Sequence, residues 1–155
     1  GIPLQEAIFR NRYFATRTFL THRDTDRAAL QELKFRPLRK VVHGKRIVLT
    51  EDSVIRANVS PAVVAMLREE GATEVHLRVG SSPVCFTCHL GIDMATRGEL
   101  IAASLLVEEV RKHIQADTLG YLSFDGMIAA SGFKREYLSM GCFTGEYAVE
   151  PSLKA

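Results

Sequence analysis

Tryptophan is absent from this 155-residue chain, and cysteine occurs only three times. Three cysteines are too few for the disulfide framework of a small secreted domain, and an odd number always leaves one unpaired. No apolar run approaches the roughly 18 residues that a membrane helix needs, and the N-terminus lacks the features of a signal peptide. These absences argue against a disulfide-rich secreted domain and a membrane protein, and they make the cytoplasm the expected location.

Neither sign of charge is in large excess over the whole chain, since the net charge is only +2, but the charges are unevenly distributed. Residues 1–46 contain 11 Lys and Arg against 4 Asp and Glu, a net +7, whereas residues 47–155 have a net −5. The basic segment suits a polyanion such as pyrophosphate, or else forms a solvated surface. No nucleic-acid-binding module with interleaved aromatic residues is present, so we expect no nucleic-acid partner.

The stretch 47–60 has the pattern of a buried strand, a polar loop and the start of a helix. Apolar β-formers lead into Glu51 and Asp52, and Ser60 with Pro61 suits an N-cap followed by the first helical position. Ligands of open α/β sheets bind at this end of a strand, where helix N–H groups hold phosphate and carboxylates accept from hydroxyls or coordinate Mg²⁺. The stretch therefore predicts a site for a phosphorylated sugar. The alternative is two exposed acids at a strand end.

This stretch resembles the phosphoribosylpyrophosphate (PRPP) signature of the type I phosphoribosyltransferases, and the chain is most similar to the glutamine PRPP amidotransferases among them. Further segments that match in family order are Gly1-Ile2-Pro3, Arg10-Asn11-Arg12-Tyr13, Arg17-Thr18-Phe19-Leu20, Gly44-Lys45-Arg46, Gly71-Ala72-Thr73-Glu74-Val75-His76, Gly91-Ile92-Asp93, Glu99-Leu100-Ile101-Ala102, Gly120-Tyr121-Leu122-Ser123 and Cys142-Phe143-Thr144-Gly145. The resemblance implies an α/β, parallel-sheet phosphoribosyltransferase-like fold that is incomplete because upstream strands are absent. Residues 1–131 would be part of that domain, and 132–155 a C-terminal tail.

The resemblance also implies a reaction, in which PRPP and glutamine-derived ammonia give 5-phosphoribosylamine, the first step of de novo purine synthesis. The glutamine-hydrolysing domain and the pyrophosphate loop would lie upstream, and the chain begins with Gly1. We therefore expect a fragment or a processed product, inactive by itself. PRPP and purine nucleotides are the implied ligands, Mg²⁺ is the implied cofactor, and an uncovered sheet edge predicts self-association into a homo-oligomer. The alternative is a catalytically inactive relative that binds a nucleotide or a partner.

The resemblance assigns a set of PRPP-binding residues, of which two would also bind Mg²⁺. They are Arg10, Arg12, Lys34, Glu51, Asp52, Ser53, Ala57, Asn58, Val59 and Ser60, with Glu51 and Asp52 as the Mg²⁺ ligands. The arginines suit pyrophosphate because a planar guanidinium can bond two phosphate oxygens. No catalytic residue is assigned, since catalysis in this family rests on positioning, metal and exclusion of water.

Four positions depart from the family pattern for PRPP binding, and Ser139 departs from it at a cluster-ligand position. Glu32 replaces an arginine of a mobile loop over PRPP, and Glu51 replaces an aspartate. Ala57 replaces a glycine and cannot adopt a positive φ as cheaply. Val59 lacks the hydroxyl with which a threonine would bond the 5′-phosphate, a loss of roughly 1.5–3 kcal/mol. We therefore expect weakened PRPP binding.

The segment from Cys85 to His89 reads C-x-x-C-H and has three interpretations. It matches a c-type haem attachment site. The resemblance instead implies the remnant of an iron–sulfur site at Cys88 and Cys142, with Ser139 at a third ligand position, so an intact cluster is expected in some longer relatives and not here. The simplest interpretation is reduced thiols in a loop and a tail.

Periodicity and turn residues predict the remaining elements. Before the signature they are a helix at 4–12 and strands at Arg17–Leu20, Arg39–Val42 and Arg46–Thr50. After it they are a helix from Pro61 to Gly71 with Val63, Val64, Met66 and Leu67 buried, a strand at Glu74–Gly80, and a loop at Ser81–Asp93. The last part has a helix at 97–104 opened by a Thr96–Glu99 capping box, a helix ending near 115, a strand at Leu119–Leu122, a helix at 124–131 capped by Ser123, and a loop-like tail.

Overall fold

The computed structural model describes residues 1–10, 35–88 and 96–147. In chain order the elements are β1 (Ile8–Arg10), β2 (Phe35–Pro37), α1 (Arg39–Val42), β3 (Arg46–Glu51), α2 (Ser60–Glu69), β4 (Glu74–Val79), 3₁₀ helices at Arg97–Glu99 and Ile101–Ala103, α3 (Val107–Ile114), β5 (Thr118–Tyr121), α4 (Phe124–Ser131), a 3₁₀ helix at Arg135–Tyr137, and α5 (Gly141–Thr144). Strands β1 and β2 pair antiparallel, and β3, β4 and β5 form a parallel sheet in that order. The predicted α/β fold with a parallel sheet is confirmed.

The unit formed by β3, α2 and β4 agrees with the sequence pattern. Val63, Val64 and Leu67 are buried on one side of α2, as expected for residues three to four positions apart, whereas Met66 is only half-buried. Gly71, at φ +92°, follows the end of the helix, where a left-handed conformation favours glycine. The apolar side chains of the helix therefore pack onto one face of the sheet.

The remaining parallel strands complete the same core. In β4 the buried residues alternate, as Val75, Leu77 and Val79, which confirms the predicted strand. Helix α3 contributes Val110 and Ile114 to this cluster, and both are almost fully buried. The opposite face of the sheet carries polar side chains, among them those of Thr50, His76 and Arg78. Because β3, β4 and β5 are parallel neighbours, their carboxyl ends lie side by side at one end of the sheet.

Two N-terminal predictions are wrong. Residues 8–10, predicted to be helical, form β1 because they pair with β2, a contact with a segment that lies far along the chain. Arg39–Val42, predicted to be a strand, is the single turn α1, in which the N–H of His43 donates to the carbonyl of Arg39 at 2.9 Å. Burial of Val42 against the core overrides the strand preference of its β-branched side chain.

Two later predictions are also wrong. Thr96 does not cap a helix, because its hydroxyl donates to the Glu99 carboxylate at 3.2 Å rather than accepting from a backbone N–H. Two short 3₁₀ helices replace the predicted helix at 97–104. The tail is not simply a loop, since it contains a 3₁₀ helix and α5. The predicted strand at Arg17–Leu20 lies outside the described residues, and the division at residue 131 stays a prediction.

The other predicted elements are confirmed within a residue or two. Helix α3 ends at Ile114, and β5 occupies Thr118–Tyr121. The Ser123 hydroxyl accepts from the N–H of Gly126 at 3.1 Å, so it caps α4 as predicted. Among the described residues, no helix has both the length and the apolar character needed to span a membrane.

Candidate functional site

A cleft of about 440 Å³ lies at the carboxyl ends of the three parallel strands. The pairing register places Glu51, Val79 and Tyr121 side by side at these ends. The cleft is lined by Thr50, Glu51, Arg78, Val79, Gly80, Gly120, Tyr121 and Leu122. This is the edge at which open α/β sheets bind ligands, and it is the edge at which the sequence placed the site.

A second cavity, of about 240 Å³, lies inside the loop that follows β3. It is lined by Glu51 and by residues 53–60, so it opens at the N-terminus of α2. The first-turn N–H groups of a helix have no intrahelical partner and favour an anion, although Pro61 contributes none. Glu51 also lines the larger cleft, so this residue is shared by the two cavities.

The loop is held from several directions. Val54 and Ala57 are 2% and 5% exposed and belong to the main core. The carbonyl of Ile55 accepts from the N–H of Ile101 at 2.9 Å. Arg56 donates through Nε to the Glu99 carboxylate at 2.6 Å and forms an ion pair with it through a second nitrogen. These contacts give the cavity a defined shape before any ligand binds.

Ala57 adopts the left-handed backbone conformation that the sequence comparison associated with glycine. Its φ is +49°, which costs an L-residue with a β-carbon roughly 1–2 kcal/mol. The side chain is buried in the main core, so its methyl group offsets part of this strain. The loop therefore keeps a glycine-like turn without the glycine.

Ser60 does not cap α2, contrary to the prediction. The N-cap is Val59, whose backbone is already helical at φ −95° and ψ −44°, so the helix begins one residue earlier than expected. Ser60 is 3% exposed, and its hydroxyl donates to Oε2 of Glu51 at 2.8 Å. The hydroxyl therefore links the end of β3 to the start of α2.

The two adjacent acids have different surroundings, as expected at a strand end. Burial raises the pKa of Glu51, the hydrogen bond from Ser60 lowers it in part, and the neighbouring charge of Asp52 raises it further. Asp52 is exposed, and its Oδ1 accepts from the backbone N–H of Ser53 at 2.6 Å. Glu51 is thus the acid that faces both cavities, and Asp52 lies at the solvent side of the turn.

Glu51 and Asp52 fit a magnesium ion only together with a ligand. Each has one oxygen in a hydrogen bond, Oε2 of Glu51 and Oδ1 of Asp52. In the described ranges, no group of three or more His, Cys, Asp or Glu side chains is arranged to hold a metal ion. Mg²⁺ characteristically binds through one or two carboxylates plus substrate phosphates and water. The donor set therefore suits Mg²⁺ that binds with a phosphorylated substrate.

The predicted basic ligands cannot be assigned to the site. Arg10 ends β1, and Arg12 and Lys34 lie outside the described residues, as does Glu32. The structure instead places a different cation in the cleft, Arg78, which sequence analysis missed.

Arg78 lies across β5 on the polar face of the sheet. It donates to Oγ1 of Thr118 at 3.0 Å, and a β-carbon at Gly120 would approach its Cδ to 3.3 Å. Its only sequence signal was its position one residue before the end of β4, beside the strand that ends in Glu51.

Tyr121 is a second residue of the cleft that sequence analysis missed. Its hydroxyl is buried, and within the described part of the chain it has no hydrogen-bond partner. Burial raises the pKa of this phenol, and the Cys85 thiol adds to the effect. The buried phenol is therefore neutral at neutral pH.

The cysteines lie where the loop after β4 meets the tail. The N–H groups of Cys85 and Phe86 both donate to the carbonyl of Cys142 at 3.1 Å, and Cys88 and Cys142 pack against the same small apolar cluster. Burial raises the pKa of Cys142, and a charge on Cys88 raises it further. The Cys85 thiol instead donates to the carbonyl of Ala102 at 3.3 Å.

These thiols do not fit an iron–sulfur cluster. Cys88 and Cys142 are two donors where a cluster takes four, and Cys85 is directed elsewhere. All three cysteines are free, and Ser139 is exposed. His89, which the haem interpretation requires, lies outside the described residues. The cluster remnant stays a prediction.

No family model matches the chain. It is 43% identical over 147 residues to the amidophosphoribosyltransferase of Methanothermobacter thermautotrophicus, which covers 95% of this chain and 31% of the relative. The amidophosphoribosyltransferase of Bacillus subtilis is 43% identical over 154 residues, with 97% of this chain and 32% of the relative covered. The chain thus spans about a third of the length of the curated relatives that it matches.

Solved structures show the same relationship. The glutamine PRPP amidotransferase of B. subtilis complexed with ADP and GMP superimposes with a TM-score of 0.82 and 41% identity, over 99% of this chain and 34% of that chain. A structure described as the allosteric regulatory enzyme of purine biosynthesis gives a TM-score of 0.79 and 40% identity over the same shares. Similarity in sequence and in fold therefore extends over nearly the whole chain.

Proposed function

Because the chain belongs to the amidophosphoribosyltransferase family, as a segment about a third of its relatives' length, we propose that it supplies the phosphoribosyl-binding part of an enzyme that transfers a phosphoribosyl group from PRPP to ammonia. The observation that carries the proposal is the shared wall of the two cavities. Glu51 lines both the loop cavity at the N-terminus of α2 and the cleft at the strand ends. A molecule with a phosphate at one end and a sugar at the other matches this arrangement.

Each part of the site has a task in this reaction. The loop 53–60 and the first turn of α2 bind the 5′-phosphate through main-chain N–H groups. Glu51 and Asp52 accept hydrogen bonds from the ribose hydroxyls and hold the sugar in the cleft. The bond between ribose C1 and oxygen breaks, pyrophosphate leaves with the electron pair, C1 bonds to the ammonia nitrogen, and a proton passes to solvent. Positioning of the two reactants accounts for most of the rate enhancement expected here.

Mg²⁺ would be held by Glu51 and Asp52 together with substrate oxygens, and when bound it neutralises charge on the leaving pyrophosphate. The residues of the chain itself keep the sugar oriented and separate it from water. Arg78 also lines the cleft, but its guanidinium is directed toward the start of β5, where it donates to Oγ1 of Thr118 at 3.0 Å.

Isothermal titration of the 155-residue chain with PRPP in the presence of Mg²⁺ tests the proposal. We expect saturable binding that weakens about tenfold or more for Asp52→Asn, which keeps the size of the side chain and removes its charge. Asp125→Asn is the matched control, since Asp125 lies in the first turn of α4 and lines neither cavity. Absence of PRPP binding by the folded chain would overturn the proposal.

A second candidate is a module that binds purine nucleotides without turnover. It is favoured by the altered loop, in which Ala57 is strained, Val59 has no hydroxyl and the Ser60 hydroxyl is already bonded to Glu51. One solved relative is complexed with ADP and GMP, and a nucleoside monophosphate has the same phosphate and ribose as PRPP. If GMP binds and PRPP binds no better than ribose 5-phosphate with Mg²⁺ present, this second function replaces the first.

A further inference from the structure

We infer that Ser60 is a positioning residue that fixes the Glu51 carboxylate at the start of α2, and that this hydrogen bond makes the site prefer ribose phosphates over deoxyribose phosphates. The inference rests on the proposed function, because it concerns recognition of the sugar in the same site. It gives a specific role to Ser60, which the resemblance had placed among the PRPP-binding residues.

Ser60 is almost fully buried, and a buried hydroxyl without a partner is costly. Its hydroxyl donates to Oε2 of Glu51 at 2.8 Å, and it is not the N-cap, because Val59 takes that position. Ser60 can therefore contribute its main-chain N–H to a phosphate, while its side chain serves Glu51.

Glu51 reaches Ser60 across nine positions of the chain, from the last residue of β3 to the first turn of α2. An aspartate is shorter by one carbon–carbon bond of about 1.5 Å, so its carboxylate would fall outside hydrogen-bond range of the hydroxyl unless the backbone moved. The glutamate, a departure from the family pattern, is thus matched to the serine.

With Oε2 bonded to Ser60, Oε1 is the oxygen that Glu51 offers to a ligand. A carboxylate already held in place loses little side-chain entropy when it accepts from a ribose hydroxyl. A sugar that lacks one hydroxyl forgoes such a bond, whereas the phosphate contacts are the same for both sugars. Selectivity between the two sugars therefore measures how well Glu51 is positioned.

The test measures Kd for ribose 5-phosphate and 2-deoxyribose 5-phosphate on the full chain and its variants. The wild-type chain should prefer the ribose form about tenfold or more, as expected for one charge-assisted hydrogen bond. In Ser60→Ala the ratio of the two Kd values should fall toward one. Ser60→Thr keeps a hydroxyl at this position and should keep the preference. Glu51→Asp should lose the preference as well, and adding Ser60→Ala to it should change nothing further, because both act through one interaction.

A buried serine elsewhere provides the matched control. Ser82 is also buried, and its hydroxyl donates to the carbonyl of Leu122 at 2.9 Å, so Ser82→Ala should lower thermal stability and leave the sugar preference intact. Should Ser60→Ala unfold, Glu51→Asp keeps the buried hydroxyl and still tests the pairing.

The outcomes separate this inference from the proposed function. A folded Ser60→Ala that keeps the wild-type preference, or loses affinity equally for both sugars, overturns the positioning role. A wild-type chain that binds PRPP and shows no preference between the sugars overturns this inference alone. A chain that binds neither sugar phosphate nor PRPP overturns both.

Discussion

Arg56 and Glu99 are joined by a hydrogen bond of 2.6 Å between Nε and Oε2, which ties the loop of the candidate site to a 3₁₀ helix that follows 43 residues later in the chain. A backbone hydrogen bond adds to this attachment: the N–H of Ile101 donates to the carbonyl of Ile55, the residue before Arg56. The 3₁₀ segment therefore acts as an outer support for the loop. The shape of the cavity inside the loop depends on a part of the chain that lines neither cavity.

Replacement of Glu99 by Gln should loosen this support. The hydrogen bond from Arg56 is the main reason that the pKa of Glu99 lies below its usual value of 4.5. Because the pKa is lowered in the folded state, the stabilisation is present above about pH 4.5 and is lost as the pH falls through the lower, folded-state value.

The difference in melting temperature between the wild type and Glu99→Gln should thus be present at neutral pH and shrink in acid. Thermal denaturation at a series of pH values measures it, and hydrogen exchange at residues 54–59 should be faster in the variant. Glu136→Gln is the matched control, because Glu136 is exposed in the tail. A difference that does not vary with pH would show that the charge of Glu99 contributes nothing.

Substitutions at Ala57 should separate backbone strain from side-chain packing. Ala57→Gly removes the strain of a positive φ but also removes a buried methyl group, so stability should change by less than about 1 kcal/mol. Ala57→Val places a β-branched residue in the same conformation within a packed core and should cost about 2–4 kcal/mol. Urea denaturation measures both.

Ala65→Val is the control for the valine substitution, since Ala65 is exposed on α2 and only helix propensity changes there, by about 0.5 kcal/mol. Equal losses for the two valine variants would mean that the turn at Ala57 is not strained in solution.

Asp117 should contribute measurably to stability through the backbone of β4. Its carboxylate accepts from the N–H of Val75 at 2.6 Å and from Arg68 at 2.9 Å, and the bond from Val75 is the first cause of its lowered pKa. Asp117→Ala leaves that N–H without an acceptor and should lower the free energy of unfolding by about 1–2 kcal/mol, the lower part of the usual range because the carboxylate is partly exposed.

Denaturation in urea at neutral pH checks the loss at Asp117, and Asp125→Ala should change stability by less than about 0.5 kcal/mol. The same denaturation at acidic pH should show a smaller effect of Asp117→Ala. Because the folded-state pKa of Asp117 is lowered, its contribution should disappear as the pH falls below about 3.8. An unchanged midpoint at neutral pH would contradict the role of this hydrogen bond.

Gly141 should be required for docking of the tail on the loop after β4. A methyl group added at Gly141 would overlap the ring of Tyr147, whose hydroxyl donates to the carbonyl of Thr87. Gly141→Ala should release the tail and increase the rate at which a thiol reagent modifies the half-buried Cys142 by about tenfold, the effect of losing about 1.4 kcal/mol of docking free energy.

Peptide mapping of the modified thiol measures that rate. Gly98→Ala is the matched control, because a β-carbon there meets nothing within 4 Å. Labelling of Cys142 at the wild-type rate in a folded Gly141→Ala would show that Tyr147 does not anchor the tail.

The sequence alone determined the local frame of the site. The apolar run before Glu51, the buried spacing of α2 and the alternation in β4 each depend on neighbours along the chain, and those elements were predicted correctly. The resemblance had singled out Ala57 as a residue that replaces a glycine, and the structure gives it the positive φ at which that replacement is costly.

The tertiary structure decided the partners. Ser60 bonds to Glu51 across the loop, Arg56 to Glu99 across 43 residues, and β1 forms only by pairing with β2. Such contacts join residues whose separation along the chain carries no periodic signal, and burial sets their strength. Arg78 lines the cleft because parallel pairing places the end of β4 beside the end of β3, and this contact is also between segments that are distant along the chain. The residues of the site could thus be proposed from the pattern, while their tasks followed from which side chains the fold brought together.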